Sequence, residues 1–185
     1  MIEVSAAQID RAENMLKHIP KSAPKALARA INRAADSART EAGRKARETY
    51  HINHKDVIST IRIDRATSMS LAAKVTSRGN TVSLAKFRVT PKQPAPKRKI
   101  PISVRVKRGE GGPVKRAFVA RVKNGHLGVF ERAGKRRLPI QELYGPPVPV
   151  MLGSPTVRAW VEEKAAETLD RRLEHEIGRI LEGNG

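Results

Sequence analysis

The stretch Arg116–Arg132, RAFVARVKNGHLGVFER, reads as two β-strands joined by a turn. Asn124-Gly125 marks the turn, because both residue types tolerate positive φ and Asn-Gly favours tight hairpins. FVARV and LGVFER then become antiparallel neighbours, within strands expected over Val114–Val122 and Leu127–Arg132. Upstream, Ile100–Lys107 alternates cleanly, with Ile102, Val104 and Val106 on one side and Ser103, Arg105 and Lys107 on the other. Ile61–Arg65, Ser70–Thr76 and Thr81–Val89 share the β-branched, alternating character, and Gly79-Asn80 reads as a turn. Two segments interrupt the strands. Residues 90–101 (TPKQPAPKRKIP) hold four prolines and four cations and read as extended and exposed. Residues 108–113 (RGEGGP) read as a flexible turn.

Helices are expected on both sides of this β-rich middle. Residues 6–19 place Ile9, Ala12, Leu16 and Ile19 on one face, behind Ser5 as N-cap and before Pro20 as terminator. Residues 23–49 carry Ala26, Ala30, Ala34, Ala38, Ala42 and Ala46 in steps of four, flanked by Leu27 and Ile31. Pro24 suits the first turn, and Ser22 can cap it. Arg29, Arg33, Arg39, Arg44, Lys45 and Arg47 fill much of the remainder. That pattern fits a packing helix with a solvated basic face, or a basic helix laid on nucleic acid. Residues 50–60 read as a connector and a short helix with Asn53 as N-cap. The segment 138–155 (LPIQELYGPPVPVMLGSP) is rich in Pro and Gly yet apolar, so it must pack on something. From 156 to 182, Val157, Val161, Ala165, Leu169, Leu173, Ile177 and Leu181 repeat every four residues, a stripe that drifts around a helix.

Four regions follow: helical 1–60, basic and β-rich 61–137, apolar 138–155 and helical 156–185, together expected to form one structural domain. A chain of 185 residues is long enough to bury a core without disulfides or metals. Aromatics are only 3%, so Ala, Val, Ile and Leu must build that core. The expected class is α+β: a small antiparallel β-sandwich or half-barrel flanked by N-terminal helices and a long C-terminal helix.

The charge is unevenly spread. Net charge is +19, but residues 65–137 alone hold 20 Lys/Arg against 2 Asp/Glu, whereas 138–185 hold 5 against 8. Such a field attracts polyanions, either nucleic acid or an acidic protein surface. The acids of the last helix, Glu162, Glu163, Glu167, Asp170, Glu174 and Glu176, are opposite in sign and could pair with a neighbouring copy or simply be solvated.

Signs of catalysis are sparse. The absence of cysteine excludes thiol chemistry and Cys-ligated zinc. RGEGGP lacks the Lys-Ser/Thr and helix of a phosphate loop, and no G-x-S-x-G or H-E-x-x-H is present. Glu110 and Glu131 are the only acids across 65–137, too few for acid–base or two-metal work. His126 beside the turn has no evident orienting acid, and His51 with His54 lacks further ligands. No enzyme, cofactor or metal is expected. Recognition motifs for specific nucleic-acid sequences are missing too, and Phe87, Phe118 and Phe130 are explained by strand positions. MIEVSAAQID does not read as a signal peptide. The longest uncharged run, Leu143–Val157, holds four prolines and two glycines and cannot form a membrane helix.

From His51 onward the order of landmarks is HINHKDVISTIRI, SLAAKV, VSLAKFRVTPK, ISVRVKRG, RAFVARVKNGHLGVFER, KRRLPIQELYGPPVPVML and a long charged helix. This resembles the prophage minor tail protein Z family, the tail-completion proteins of long-tailed phages. Phe118–Leu152 is the most specific part. Pro147 departs from the pattern, where a small Ser often follows Gly-Pro. The resemblance implies a non-enzymatic virion protein at the head-proximal end of the tail, assembled in the host cytoplasm. The resemblance further implies that such a protein completes the tail for head–tail joining, with positioning of the DNA end as an added expectation. Expected partners are the tail terminator, other neck or tail-tube proteins and further copies in a hexameric ring. The alternative is a sequence-independent nucleic-acid-binding protein using 65–137. Candidate contacts for DNA or an acidic partner are Lys97, Arg98, Lys99, Arg105, Lys107, Arg108, Lys115 and Arg116. Candidate subunit-interface residues are Leu143, Tyr144, Pro146, Pro147 and Met151.

Overall fold

The alanine ladder is buried from end to end in a computed structural model, which describes residues 2–3, 10, 14–15, 22–122 and 124–182. Helix α1 (Ser22–Thr49) carries it, with Pro24 in the first turn. Asp10, Asn14 and Met15 are helical, and the rest of the helix expected over 6–19 lies outside the described residues. The chain divides into two compact units, each assembled from separated segments.

The first unit comprises residues 1–43, 61–77 and 155–185. Strands β1 (Ile2–Glu3), β2 (Ile61–Asp64) and β3 (Ala72–Ser77) form an antiparallel sheet in the order β1-β3-β2. Helix α4 (Pro155–Leu181) closes the unit. Ala26, Leu27, Ala30, Ile31 and Ala34 of α1 share one core with Leu169, Leu173, Ile177 and Ile180 of α4, and Ala66 and Ala73 complete it. Small side chains allow close approach, and the larger Leu and Ile of α4 supply the buried area, about 1.5–3 kcal/mol for each fully buried side chain. Polar clamps fix the packing. Asn32 donates from Nδ2 to the Ala66 carbonyl and accepts the Ala66 N–H at Oδ1, both at 2.9 Å. The Trp160 indole donates to Glu41 at 2.9 Å, and Arg65 grips Asp36 with two guanidinium nitrogens. Glu176, read in the sequence as either solvated or paired with a neighbouring copy, is buried against Arg29 and Arg179 of its own chain. Leu181, expected in the apolar stripe, is 56% exposed.

The second unit comprises residues 44–60 and 78–154. It begins with the last turns of α1 and the short helix α2 (His54–Ile58). Asn53 occupies the N-cap position as expected, but its side chain makes no capping bond. Strands β5 (Arg88–Thr90), β6 (Ile102–Arg105) and β7 (Gly112–Val114) form one antiparallel sheet. Strands β8 (Ala117–Arg121), β9 (Leu127–Arg132) and β10 (Ile140–Glu142) form another. Val89, Ile102 and Val104 from the first share a core with Val119 and Val129 from the second. The sheets do not close into a barrel. The alternation read in Ile100–Lys107 holds, with Ile102 and Val104 buried and Arg105 exposed.

Three expected elements are subdivided. Thr81–Val89 is not one strand: β4 (Val82–Ser83) ends in a 3-10 turn at Leu84–Lys86, where Ser83 Oγ accepts the Ala85 N–H. Val114–Val122 breaks at Arg116, whose φ of 63° is incompatible with continuous strand. The apolar 138–155 segment forms β10, β11 (Tyr144–Gly145, paired with β4) and helix α3 (Val148–Leu152). The Asn124-Gly125 hairpin forms as read. Gly125 has φ of 77°, its N–H donates to Val122, and Val122 donates to His126.

Candidate interaction surfaces

The division into units also divides the charge. The second unit carries 22 Lys/Arg against 5 Asp/Glu, or +17, and the first carries 15 against 13, or +2. Four of the five acids in the second unit are engaged within it: Glu48 by Arg44 and Lys45, Asp56 by Lys86, Glu110 by Lys107, and Glu142 by His126. The excess is therefore presented outward.

All eight cations proposed as contacts are exposed. Lys97, Arg98 and Lys99 stand on the proline-rich segment, where Arg98 donates back to the carbonyls of Ile100 and Pro101. Lys107 pairs with Glu110 at 2.7 Å. Arg108 donates from Nε to the Arg47 carbonyl and from its backbone N–H to Thr49, satisfying carbonyls at the C-terminus of α1. Lys115 and Arg116 occupy the turn between β7 and β8. Arg105 on β6 lies directly opposite Arg88 on β5.

An open groove of about 930 Å³ lies in this unit. Arg47, Lys86, Arg88, Lys92 and Arg108 contribute cations to its lining; Phe87, Val89, Val119 and Val129 border it but are at most 8% exposed and serve the chain's own core, leaving Leu127 half-buried at its wall. His51 sits on the wall. Its burial, with Arg108, Arg88 and Arg105 nearby, holds the imidazole below its usual pKa range. Of the eight named cations only Arg108 lines the groove. The other lining cations, Lys86, Arg88 and Lys92, are close in sequence, and only the fold brings Arg47 and Arg108 beside them.

The five apolar candidates separate by burial. Tyr144 is 53% exposed, and Pro146 and Pro147 are half-buried. Leu143 packs against the shared core of the two sheets, donating its N–H to Val129 and accepting from Leu84. Met151 is 1% exposed and serves the chain's own core. Val150, outside that set, is 62% exposed.

Glu142 was not singled out in the sequence, yet it organises this region. Its carboxylate accepts from Ser83 Oγ at 2.6 Å and from the Tyr144 hydroxyl at 3.0 Å, and pairs with His126 Nε2 at 2.9 Å. It is the acid that His126 lacked when only neighbours in sequence were considered. Burial alone would raise the Glu142 pKa, but the bonds from Ser83, His126 and Tyr144 bring it below its usual value. Ser83 and His126 each bond the carboxylate and not one another, so the geometry locks a surface and forms no proton relay to a serine. Among the described residues no group of three or more His, Asp or Glu is placed to hold a metal ion. None of their helices is long and apolar enough to cross a membrane.

The arrangement defines an α+β protein whose distinctive features are a strongly basic unit and an aromatic side chain fixed at its surface. The chain belongs to the prophage minor tail protein Z family, whose sequence profile matches residues 8–182. It is thus a phage minor tail protein. Among curated proteins and among solved structures, nothing matches the chain.

Proposed function

We propose that this minor tail protein completes the head-proximal end of the tail so that the tail can join the filled head, as a virion component with no catalytic role. The observation that carries this reading is family membership across nearly the whole chain. In this reading the protein acts as a closed ring of copies, hexameric by analogy with tail symmetry, against the tail terminator and neighbouring neck or tail-tube proteins. Closed rings use heterologous contacts, in which two different surfaces of the chain meet. Tyr144, with Pro146 and Pro147, supplies one such surface, and the exposed cations supply another toward the end of the packaged DNA. The test is disruption of the gene in its prophage, followed by induction and electron microscopy. Separate filled heads and full-length tails, or joined but non-infectious particles, support the reading. Normal infectious particles overturn it.

A second reading, sequence-independent nucleic-acid binding by residues 65–137, is favoured by the exposure of Lys97, Arg98, Lys99, Arg105, Lys107, Arg108, Lys115 and Arg116. It requires affinity for duplex DNA that falls steeply with salt, as counterion release dictates. Salt-insensitive or absent binding rejects it.

A further inference from the structure

We propose that this chain binds a second copy of itself through two different surfaces: an apolar patch on the outer face of the β8–β9–β10 sheet of one copy fits a cleft beside the C-terminal turns of α4 of the next. This rests on the reading of the protein as a ring of copies and names the surfaces that meet.

The patch follows from the strand register, because residues opposite one another share a face of the sheet. Val119 and Val129 are opposite and turn inward to the core. The outer face therefore carries Phe118 opposite Phe130, and Arg132 opposite Ile140. An antiparallel sheet with one solvated face alternates apolar and polar residues, and AFVA (117–120) and GVF (128–130) do not. Phe130 is buried by its own sheet: its ring lies where a Cβ at Gly128 would stand, 2.8 Å away. Phe118 and Ile140 are only half-buried, and Leu138, just before β10, is 66% exposed. Tyr144 borders this face through its bond to Glu142. The rim is cationic. Lys135, Arg136 and Arg137 are exposed, and the Arg132 guanidinium stands 5.8 Å from the centre of the Phe118 ring. Exposed aliphatic side chains have no counterpart on a phosphate backbone, so Leu138 and Ile140 call for a protein surface that is apolar within a negative rim.

The first unit of this chain carries such a surface. A cleft of about 270 Å³ is lined by Met15, Leu173, Glu174, Ile177, Gly178 and Leu181. Leu173 and Ile177 belong to the core, but Met15 and Leu181 are 44% and 56% exposed. Glu174 lines the cleft, Glu182 follows Leu181, and the end of a 27-residue helix adds the negative pole of its dipole. Patch against patch would bring together two units of +17, whereas the unit holding the cleft is at +2. The contact is therefore heterologous, the kind from which rings are built.

The test compares the full chain with Leu138→Asp, Leu181→Asp and an equimolar mixture of the two variants by sedimentation velocity. Both positions are exposed, and circular dichroism checks that each variant stays folded. The wild type should associate as its concentration rises. Each variant alone should associate at least about tenfold more weakly, as loss of a central apolar anchor does at an interface. The mixture should form a 1:1 dimer and grow no further. Leu138→Asp keeps an intact cleft and Leu181→Asp an intact patch, so the pair makes one good contact and leaves two damaged surfaces. Met69→Asp, at a residue 98% exposed and in neither surface, should associate like the wild type. A wild type that stays monomeric at its highest soluble concentration overturns the proposal. So do variants that associate like the wild type, a mixture that behaves as the sum of its parts, or an equal loss in Met69→Asp. Loss of duplex DNA binding by Leu138→Asp with self-association intact overturns it as well, and assigns the patch to nucleic acid. These outcomes are separate from the particle phenotype, because a tail-completion defect on gene disruption does not depend on which surfaces the copies use.

Discussion

Replacing Glu142 by Gln preserves shape and removes one charge, so it isolates what the carboxylate does. Three donors converge on it: Ser83, His126 and Tyr144. A hydrogen bond to a charged group contributes about 1.5–3 kcal/mol net, against about 1 kcal/mol for a neutral one. The Ser83 bond is part-buried and keeps most of that difference, while those to His126 and Tyr144 are exposed and are discounted for solvent. The expected loss is about 1–2 kcal/mol, or roughly 2–8 °C in Tm for a chain of this size.

The pH dependence gives a sharper test. The folded-state pKa of Glu142 is depressed. Its contribution is therefore present in full above the unfolded value of about 4.3 and is lost as pH falls through the lower folded value. Urea unfolding of wild type and Glu142→Gln, followed by circular dichroism, should show a full stability gap at neutral pH. The gap should close toward acid, where the wild-type side chain is also neutral. A gap that stays constant from neutral pH to well below 4.3, or none at neutral pH, would refute the assignment of Glu142 as an ionised hub.

Tyr144→Asp should block incorporation into particles while leaving the isolated chain folded, measured by particle composition and circular dichroism. An unfolded variant would place Tyr144 in the core and end its role as a contact. Leu173→Ala should cost about 2–5 kcal/mol in denaturant unfolding, since Leu173 is 3% exposed between α1 and α4 in the first unit. A cost below about 1 kcal/mol would mean that this face is not the core. Gly111→Ala should destabilise by about 2 kcal/mol or more, because φ is +133° and an added Cβ would lie 2.5 Å from the Val104 carbonyl oxygen. A neutral effect in the same assay would contradict that backbone geometry.

Much of the fold was legible because its signals are local and periodic. The alanines of α1, the apolar stripe of α4 through Ile177, the Ile102/Val104 alternation and the Asn124-Gly125 turn each need only a window of residues. The misreadings arose where a local interaction overrides periodicity. Ser83 bonding the Ala85 N–H turns the chain inside an apparent strand, and the left-handed backbone at Arg116 splits another. The candidate surfaces were less legible because they depend on long-range pairing. Glu142 meets His126 and Ser83 only once β9–β10 and β4–β11 have formed, with Glu142 opposite Phe130 and Tyr144 opposite Ser83. Arg47 and Arg88 share a groove only after the end of α1 is placed beside β5. Met151 looked like a contact residue because a Pro/Gly-rich segment gives no periodicity from which to tell its inner side from its outer one.

The charge itself argues for partners of more than one shape. A unit at +17 repels itself, and that repulsion lowers its stability without helping its fold. The acids that could relieve it are few and mostly occupied, so relief must come from outside the unit. The cations on residues 97–99 stand exposed on an extended segment and suit contacts along an extended polyanion, where position matters little. Those at Arg88 and Lys92 border a concavity and suit a ligand of defined shape. If one DNA surface accounted for both, neutralising either set would change the salt dependence of DNA binding by a similar amount per charge. If the two sets serve different partners, Lys97, Arg98 and Lys99 should carry most of the DNA salt slope, and charge reversal at Arg88 and Lys92 should leave that slope nearly unchanged.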